Sequence, residues 1–386
     1  MSTKKLTGKK TWPEKALTEI IEIVKGKKLD NITNKPTVNS KRYIQIDDLR
    51  NNNNLKYADH NGVEVNKNDV IIAWDGANAG TIGFGLEGYI GSTLARLRLK
   101  SENINSDYLG WFLSTKSLYL REKCTGATIP HINKNYLLSI KISIPPISLQ
   151  KQIVGILEKI DLVKNKRQKA NKLTDQFLQS VFIEMFGNPI KNIKRYPLQK
   201  LGLLGRLERG RSKHRPRNAP FLLGGKYPLI QTGEIVNSYF LIKEHTQSYS
   251  ESGLKQSKLW PRNTLCISIA ANIAFTAVLN FDSCFPDSVV GFIPSKMVNV
   301  EYIHFYFTFI QKKLTELAPQ SAQKNINLEI LKNLDIMMPP IELQQRFADV
   351  VYSIEALKEK QLKSERELNS LFNSLMQKAF NGELTI

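Results

Sequence analysis

The run RGRSKHRPR (209 to 217) sets Arg209, Arg211, Lys213, Arg215 and Arg217 at alternate positions along one short segment. Cations at that density suit the phosphates of a nucleic-acid backbone, which fix position without reporting sequence; a solvated, mobile loop is the alternative. KGKK (25 to 28) aligns with it near the N-terminus, so Lys27 and Lys28 are candidates as well, and Lys41 and Arg42 further on are added to them. A second group is mostly polar: Thr128, His131 and Asn133, then Ser321, Gln323, Lys324, Asn325 and Asn327. Asn and Gln can pair bidentately with adenine. These positions recur as two matched loops, however, and shaping a junction explains that recurrence better than base reading does, with phosphate contact still open. Trp74 and Asp75, ahead of GANAG (76 to 80), are further candidates for contact or else the tip of a plain hairpin.

Signals for catalysis are weaker. Gly83, Gly85 and Gly88 form a literal GxGxxG, but YIGSTLARLRL follows it and predicts strand, whereas a dinucleotide site needs a helix there. There is no GKS or GKT phosphate loop, so ATP hydrolysis by this chain is not expected. Pro286 and Asp287 resemble the start of a nuclease motif, yet no acidic residue two places before a lysine follows them in the same segment. The five histidines lack metal-ligand spacing, and Cys124, Cys266 and Cys284 form no CxxC. A reducing cytoplasm is the expected location.

Composition agrees with a binding protein. The chain has 386 residues, 41% hydrophobic and 23% charged, enough for two or three domains. Lys and Arg number 55 against 35 Asp and Glu, and a net charge of +20 favours a polyanion, with nucleic acid ahead of an anionic membrane surface. The N-terminal residues lack the apolar core of a secretory signal. The longest uncharged run, 263 to 281, is interrupted by Ser268, Asn272, Thr276 and Asn280, and predicts two strands around a turn rather than a membrane span.

The elements that must position these residues are duplicated. SIPPISLQKQIVGILEKID (143 to 161) reappears as MMPPIELQQRFADVVYSIE (337 to 355), matching Pro145, Pro146, Ile147, Leu149 and Gln150 with Pro339, Pro340, Ile341, Leu343 and Gln344. The same offset relates GATIPHINKNYL (126 to 137) to QSAQKNINLEIL (320 to 331) and FLQSVFIEMFG (177 to 187) to LFNSLMQKAFN (371 to 381). Further upstream the offset drifts, but RYIQIDDL (42 to 49) still resembles PLIQTGEI (228 to 235). Two copies of this length suit two similar halves, not a solenoid.

Each half divides again. After each double proline, Ile153, Ile156, Ile160, Val163, Phe177 and Val181, and then Phe347, Val350, Ile354, Leu357, Leu368, Leu371 and Leu375, recur at coiled-coil spacing, and proline suits a helix start. Leu149 to Phe186 would extend about 57 Å, long enough to require a partner. Both stripes turn polar near their middles, at Arg167 in one and at Gln361 and Ser364 in the other, which antiparallel pairing would bring together; each helix lying on its own globule is the alternative. Before the helices lie β-rich runs such as DVIIAW (69 to 74), TLARLRL (93 to 99), TLCISIA (264 to 270) and SVVGFI (288 to 293), mixed with helical YLGWFL and YIHFYF. The expected class is α+β, with a globule at 1–145, a helix at 146–187, a second globule at 188–338 and a second helix at 339–386. The globules carry +8 and +10 of the total charge, so a polyanion would meet them while the helices remain free for protein.

The ordered set of double-proline Leu-Gln helix starts, GATIPHI, SAQKNIN, FPDSVVGF (285 to 292) and LFNSLMQKAFNGEL (371 to 384) resembles the specificity (S) subunit of type I restriction-modification systems, over nearly the whole chain. The resemblance implies two pseudo-twofold-related target recognition domains that read a bipartite, asymmetric site on double-stranded DNA. They would be joined by two long antiparallel helices that act as a spacer and dock modification (methyltransferase) subunits, two of them, and in some systems restriction subunits. The chain itself would catalyse nothing and hold no cofactor; S-adenosylmethionine, ATP and Mg would belong to the partners. Its double prolines also lack the flanking residues of an adenine methyltransferase's catalytic loop. Other readings are an architectural protein that bridges DNA without sequence preference, and a self-sufficient nuclease with an unrecognised site.

Overall fold

In a computed structural model, the described residues are 12–49, 55–59, 62–270, 272–317 and 325–384. They separate by contact into a first unit, residues 1–168 with 363–386, and a second, residues 169–362. In chain order the first half contains β1 (Glu14–Ala16), α1 (Leu17–Ile20), β2 (Ile21–Lys25), β3 (Lys41–Ile44), β4 (Tyr57–Ala58), β5 (Val63–Val65), β6 (Val70–Ala73), β7 (Ile82–Phe84), β8 (Gly88–Ile90), β9 (Leu94–Leu99), α2 (Ser106–Glu122), α3 (Lys134–Ser139), β10 (Lys141–Ser143) and α4 (Ile147–Phe186). The second half contains β11 (Leu198–Lys200), β12 (Gly205–Arg209), β13 (Leu223–Leu229), α5 (Thr232–Asn237), β14 (Leu241–Ile242), β15 (Gln247–Tyr249), α6 (Glu251–Lys255), β16 (Leu259–Trp260), β17 (Leu265–Ser268), β18 (Thr276–Leu279), β19 (Ser283–Cys284), β20 (Val289–Pro294), α7 (Val300–Leu317), α8 (Leu328–Lys332), β21 (Asp335–Met337) and α9 (Ile341–Phe380).

Strand order makes the duplication explicit. The first unit has sheets β2-β9-β6-β7 and β4-β3-β8-β5; the second has β12-β20-β17-β18-β14 and β15-β13-β19-β16. Strand for strand these are the same arrangement with β14 added, and both contain a parallel pair, β3 with β8 and β13 with β19. Central strands β6 (VIIA) and β17 (LCIS) are buried at every position, which is why they are short, mainly apolar runs rather than alternating ones. The uncharged run at 263 to 281 is a hairpin of β17 and β18, as its polar interruptions predict. Of the GxGxxG glycines, Gly83 lies in β7, Gly85 in the turn after it and Gly88 at the start of β8, and the next element is β9 rather than a helix.

A buried glutamine builds each junction between globule and helix. Gln150 is 0% exposed; its Nε2 donates to Pro145 O at 2.8 Å and Asn103 O at 3.0 Å, and its Oε1 accepts from Asn105 N at 2.8 Å. Asn105 in turn caps α2, accepting from Tyr108 N. Gln344, also 0% exposed, repeats this with Pro339 O at 3.0 Å and Asn299 N at 3.0 Å. The repeated Leu-Gln is therefore a staple that ties the start of a long helix to the loop before α2 or α7. Beside it, β1 pairs with β10 and β11 with β21, closing each globule next to its helix.

Within the first unit, Ile153, Val154 and Leu157 from early α4 share a core with Phe372, Met376 and Ala379 from late α9, and Phe380 packs on Tyr108 and Phe112. Within the second, Leu178, Phe182 and Phe186 from late α4 meet Phe347 and Val351 from early α9. Early segments of one helix thus lie with late segments of the other, the antiparallel pairing. The buried face differs in part from the expected stripe: Val163, Phe177, Leu357 and Leu371 are 43–50% exposed. Both helices carry apolar residues on more than one face, and spacing alone cannot choose which face is covered. The polar layer also moves: Gln361 is buried as expected, but its partner is Thr174, at 3.3 Å, a side chain that the periodicity does not single out.

Candidate nucleic-acid interface

In the second unit, the basic run leaves the sheet at the end of β12. Gly210 is required there, because a Cβ would come within 2.4 Å of the carbonyl oxygens of Phe285 and Pro286. Gly26 has the same role after β2, where a Cβ would lie 2.2 Å from Gly91 O. The glycines' main-chain N–H groups donate to Val289 O and Leu94 O respectively, both at 2.8 Å. This close approach explains why KGKK and RGRS align. Beyond Gly210 the loop is held rather than merely solvated: Ser257 Oγ donates to Arg211 O at 2.9 Å, and His214 N donates to Gln256 Oε1 at 3.0 Å.

Asp287 organises the arginines. Its carboxylate pairs with both Arg215 and Arg217, and its main-chain oxygen accepts from Arg209 Nε at 3.0 Å. The five cations are therefore not equivalent. Three are anchored around Asp287, whereas Arg211 and Lys213 are exposed and make no ion pair among the described residues. Asp287 belongs to the Pro-Asp pair that resembles a nuclease signature; in the structure it is a loop anchor.

The first unit uses different residues. Asp75 meets Lys25 Nζ at 2.7 Å and His131 Nδ1 at 2.6 Å. Partial burial pushes the Asp75 carboxyl up, but the bonds from Lys25 and His131 outweigh this and hold it below the ordinary carboxylate range. Lys41 pairs with Glu64 at 2.6 Å and Arg42 with buried Asp48 at 2.9 Å, while Lys27 and Lys28 are exposed. Trp74 packs against the core, and its main-chain oxygen accepts from Ile132 N at 2.9 Å. Thr128 is exposed on the same loop.

That contact is one of a set that docks the GATIPHI loop onto the turn after β6, including Gly76 N to Pro130 O at 2.8 Å and a bridge between Asp75 and His131. In the second unit Asn325 bridges Ala270, and Ile326 N donates to Ile269 O at 3.1 Å, so the matched loops dock in the same way. Asn133 and Asn327 cap α3 and α8 through their side-chain oxygens. Junction building accounts for the recurrence of these asparagines. Ser321, Gln323 and Lys324 lie outside the described residues. No cluster of three or more His, Cys, Asp or Glu that could hold a metal occurs among the described residues, and no helix among them is long and apolar enough to cross a membrane.

A family model described as the type I restriction modification DNA specificity domain matches twice, at residues 9–175 and 200–368. The chain belongs to this family. It is a DNA sequence-specificity subunit of a type I restriction-modification complex. The specificity subunit of the type I restriction enzyme MjaVIII from Methanocaldococcus jannaschii is 23% identical over 97% of this chain and 93% of its own length. That of EcoKI from Escherichia coli K12 is 23% identical over 83% and 76%. The fold is also similar to that of the S subunit from M. genitalium, with a TM-score of 0.65 and 14% identity over 97% of this chain and 98% of that one.

For a specificity subunit, the residues that sequence spacing left unassigned are informative. Asp287 was legible only as half of a Pro-Asp pair that resembles a nuclease motif, not as an anchor for arginines. Gln150 and Gln344 were legible as a repeat without a stated role. Gln231, which aligns with Gln45 in RYIQIDDL and PLIQTGEI, gave a visible signal of equivalence but none of its surroundings.

Proposed function

We propose that each globule of this specificity subunit reads one half of a split, asymmetric DNA site, and that α4 and α9 carry two modification subunits. The observation that supports this most directly is the shared strand order with unlike residues at equivalent positions: Asp75 with His131 in one unit, Ala270 with Asn325 in the other. One scaffold used twice with different side chains suits two different half-sites. Apolar residues exposed on the helices, including Leu162, Val163, Leu173, Phe177, Leu357 and Leu371, suit burial against protein partners. Mapping methylated adenines in DNA from cells that contain this chain and its modification partner tests the reading. A split motif with unlike halves is the expected result, and methylation with no split motif refutes it.

On this proposal the chain is non-catalytic and cytoplasmic, and S-adenosylmethionine, ATP and Mg are bound by modification and restriction subunits. The purified chain incubated with DNA, magnesium and S-adenosylmethionine should neither methylate nor cut. Activity in that assay favours a self-sufficient enzyme.

Phosphate contact falls to Arg211 and Lys213, the two cations left outside the Asp287 cluster. Arg211→Ala with Lys213→Ala should weaken binding to all duplexes alike and lower the slope of log affinity against log salt by about two. Titrations of the purified complex at several salt concentrations check this; an unchanged slope dismisses the contact. A steep slope with no dependence on base sequence even in the unaltered protein identifies an architectural DNA-bridging protein instead.

A further inference from the structure

The second globule contains a polar cleft of about 410 Å³ beside the basic loop, lined in part by Arg217, Asn218, Gln231, Gln247 and Ser288. Gln231 Nε2 donates to Gln247 Oε1 at 2.8 Å, and both side chains are exposed. That bond uses one donor and one acceptor of the amide pair. The atoms that this bond leaves over are an acceptor, Gln231 Oε1, and a donor, Gln247 Nε2, and reversing both amides again leaves one of each. Adenine presents a donor, N6, next to an acceptor, N7, on its major-groove edge, so the pair is its complement.

The scaffold holds both glutamines in place. Glu234 accepts from Gln231 N at 3.1 Å and from Thr246 Oγ1 at 2.5 Å, tying the end of β13 to the residue before β15, and Gln247 lies opposite Leu229 in the ladder. Arg217 at the cleft wall is fixed by Asp287. In the first unit, Gln45 N donates to Asp48 Oδ2 at 2.7 Å in the place of the Gln231–Glu234 bond. There Tyr43, aligned with Leu229, donates its N–H to Lys56 O at 2.7 Å, so Lys56 occupies the place of Gln247. One unit has a neutral donor-acceptor pair where the other has a glutamine and a cation, as two readers of different sequences require.

We propose that Gln231 and Gln247 together read an adenine in the half-site met by the second globule. This rests on the split-site reading above. The test compares maps of methylated adenines from cells containing the modification partner with either the unaltered chain or the Gln231→Ala/Gln247→Ala variant. One half-site should lose its requirement for a single A·T pair while the other keeps its full sequence. In competition binding by the purified complex, the unaltered protein should prefer that A·T pair by about 10- to 100-fold over the alternatives, and the variant by less than about 3-fold. Gln247→Lys, which copies the first unit's residue, should shift the preference at that position toward guanine, the base whose edge offers two acceptors. Unaltered maps and equal discrimination by both proteins overturn the proposal, as does relaxation of both half-sites together. Absence of any split motif for the unaltered chain refutes the proposed function itself, so the two failures are distinguishable.

Discussion

Gln150→Leu is expected to lower the free energy of unfolding by about 3–5 kcal/mol. Leucine keeps most of the volume but cannot bond to Pro145 O, Asn103 O or Asn105 N, the three main-chain groups that Gln150 satisfies. Each such group left without a partner away from water costs about 1–3 kcal/mol, and the two partly buried ones fall at the lower end. Gln344→Leu orphans two groups, Pro339 O and Asn299 N, and should cost about 2–4 kcal/mol. Gln152, two residues further along α4 and exposed, is the control: Gln152→Leu should change stability by no more than about 0.5 kcal/mol. Urea titrations of the three variants check the ranking, and equal midpoints for Gln150→Leu and Gln152→Leu would disprove the staple. Partner docking is a separate property; a staple variant that still folds should still bind its modification subunit.

The second large effect is on pH dependence. His304 is buried in the second unit, with Nδ1 3.0 Å from Thr276 Oγ1 and aromatic neighbours Phe240 and Phe305. Burial pushes its pKa down to about 4, aided by the Lys358 ammonium and only partly opposed by the main chain of Tyr239. A histidine in the unfolded chain titrates near 6.5. Between those values the unfolded state takes up a proton that the folded state refuses. This contribution is therefore fully present above pH 6.5 and is lost as pH falls toward 4, amounting to about 3 kcal/mol. Unfolding titrations across that window should show the decline, and His304→Gln, whatever its own stability, should show a flatter one. Identical pH profiles for the two proteins would rule out the imidazole as the source.

Much of the architecture was legible before any coordinates because its signals are countable. The offset of 194 between PPISLQ and PPIELQ places equivalent residues in equivalent elements, as the matching registers of β1 with β10 and β11 with β21 show. The runs VIIA and LCIS are strands because a short, mainly apolar run buried at every position suits a central strand. The candidate interface was legible only as composition. Alternate cations in RGRSKHRPR look alike in sequence, yet Arg215 and Arg217 pair with Asp287, some seventy residues away in the chain, and Arg211 and Lys213 do not. Nothing in local spacing distinguishes them.

The sequence by itself determined that the protein is a duplication, that each copy ends in a long helix begun by a double proline, and that positive charge is concentrated in the globules. Periodicity, repetition and composition act over short range, so they survive without a fold. Only the tertiary structure decided which helix face is buried, since Val163 and Phe177 fit the apolar spacing and are nevertheless exposed. It also decided that Gln150 reaches across to Asn103 and Asn105, and that Gln231 lies against Gln247. These contacts join residues brought together by strand pairing and helix packing, and their partners are set by the path of the chain in space rather than by spacing along it.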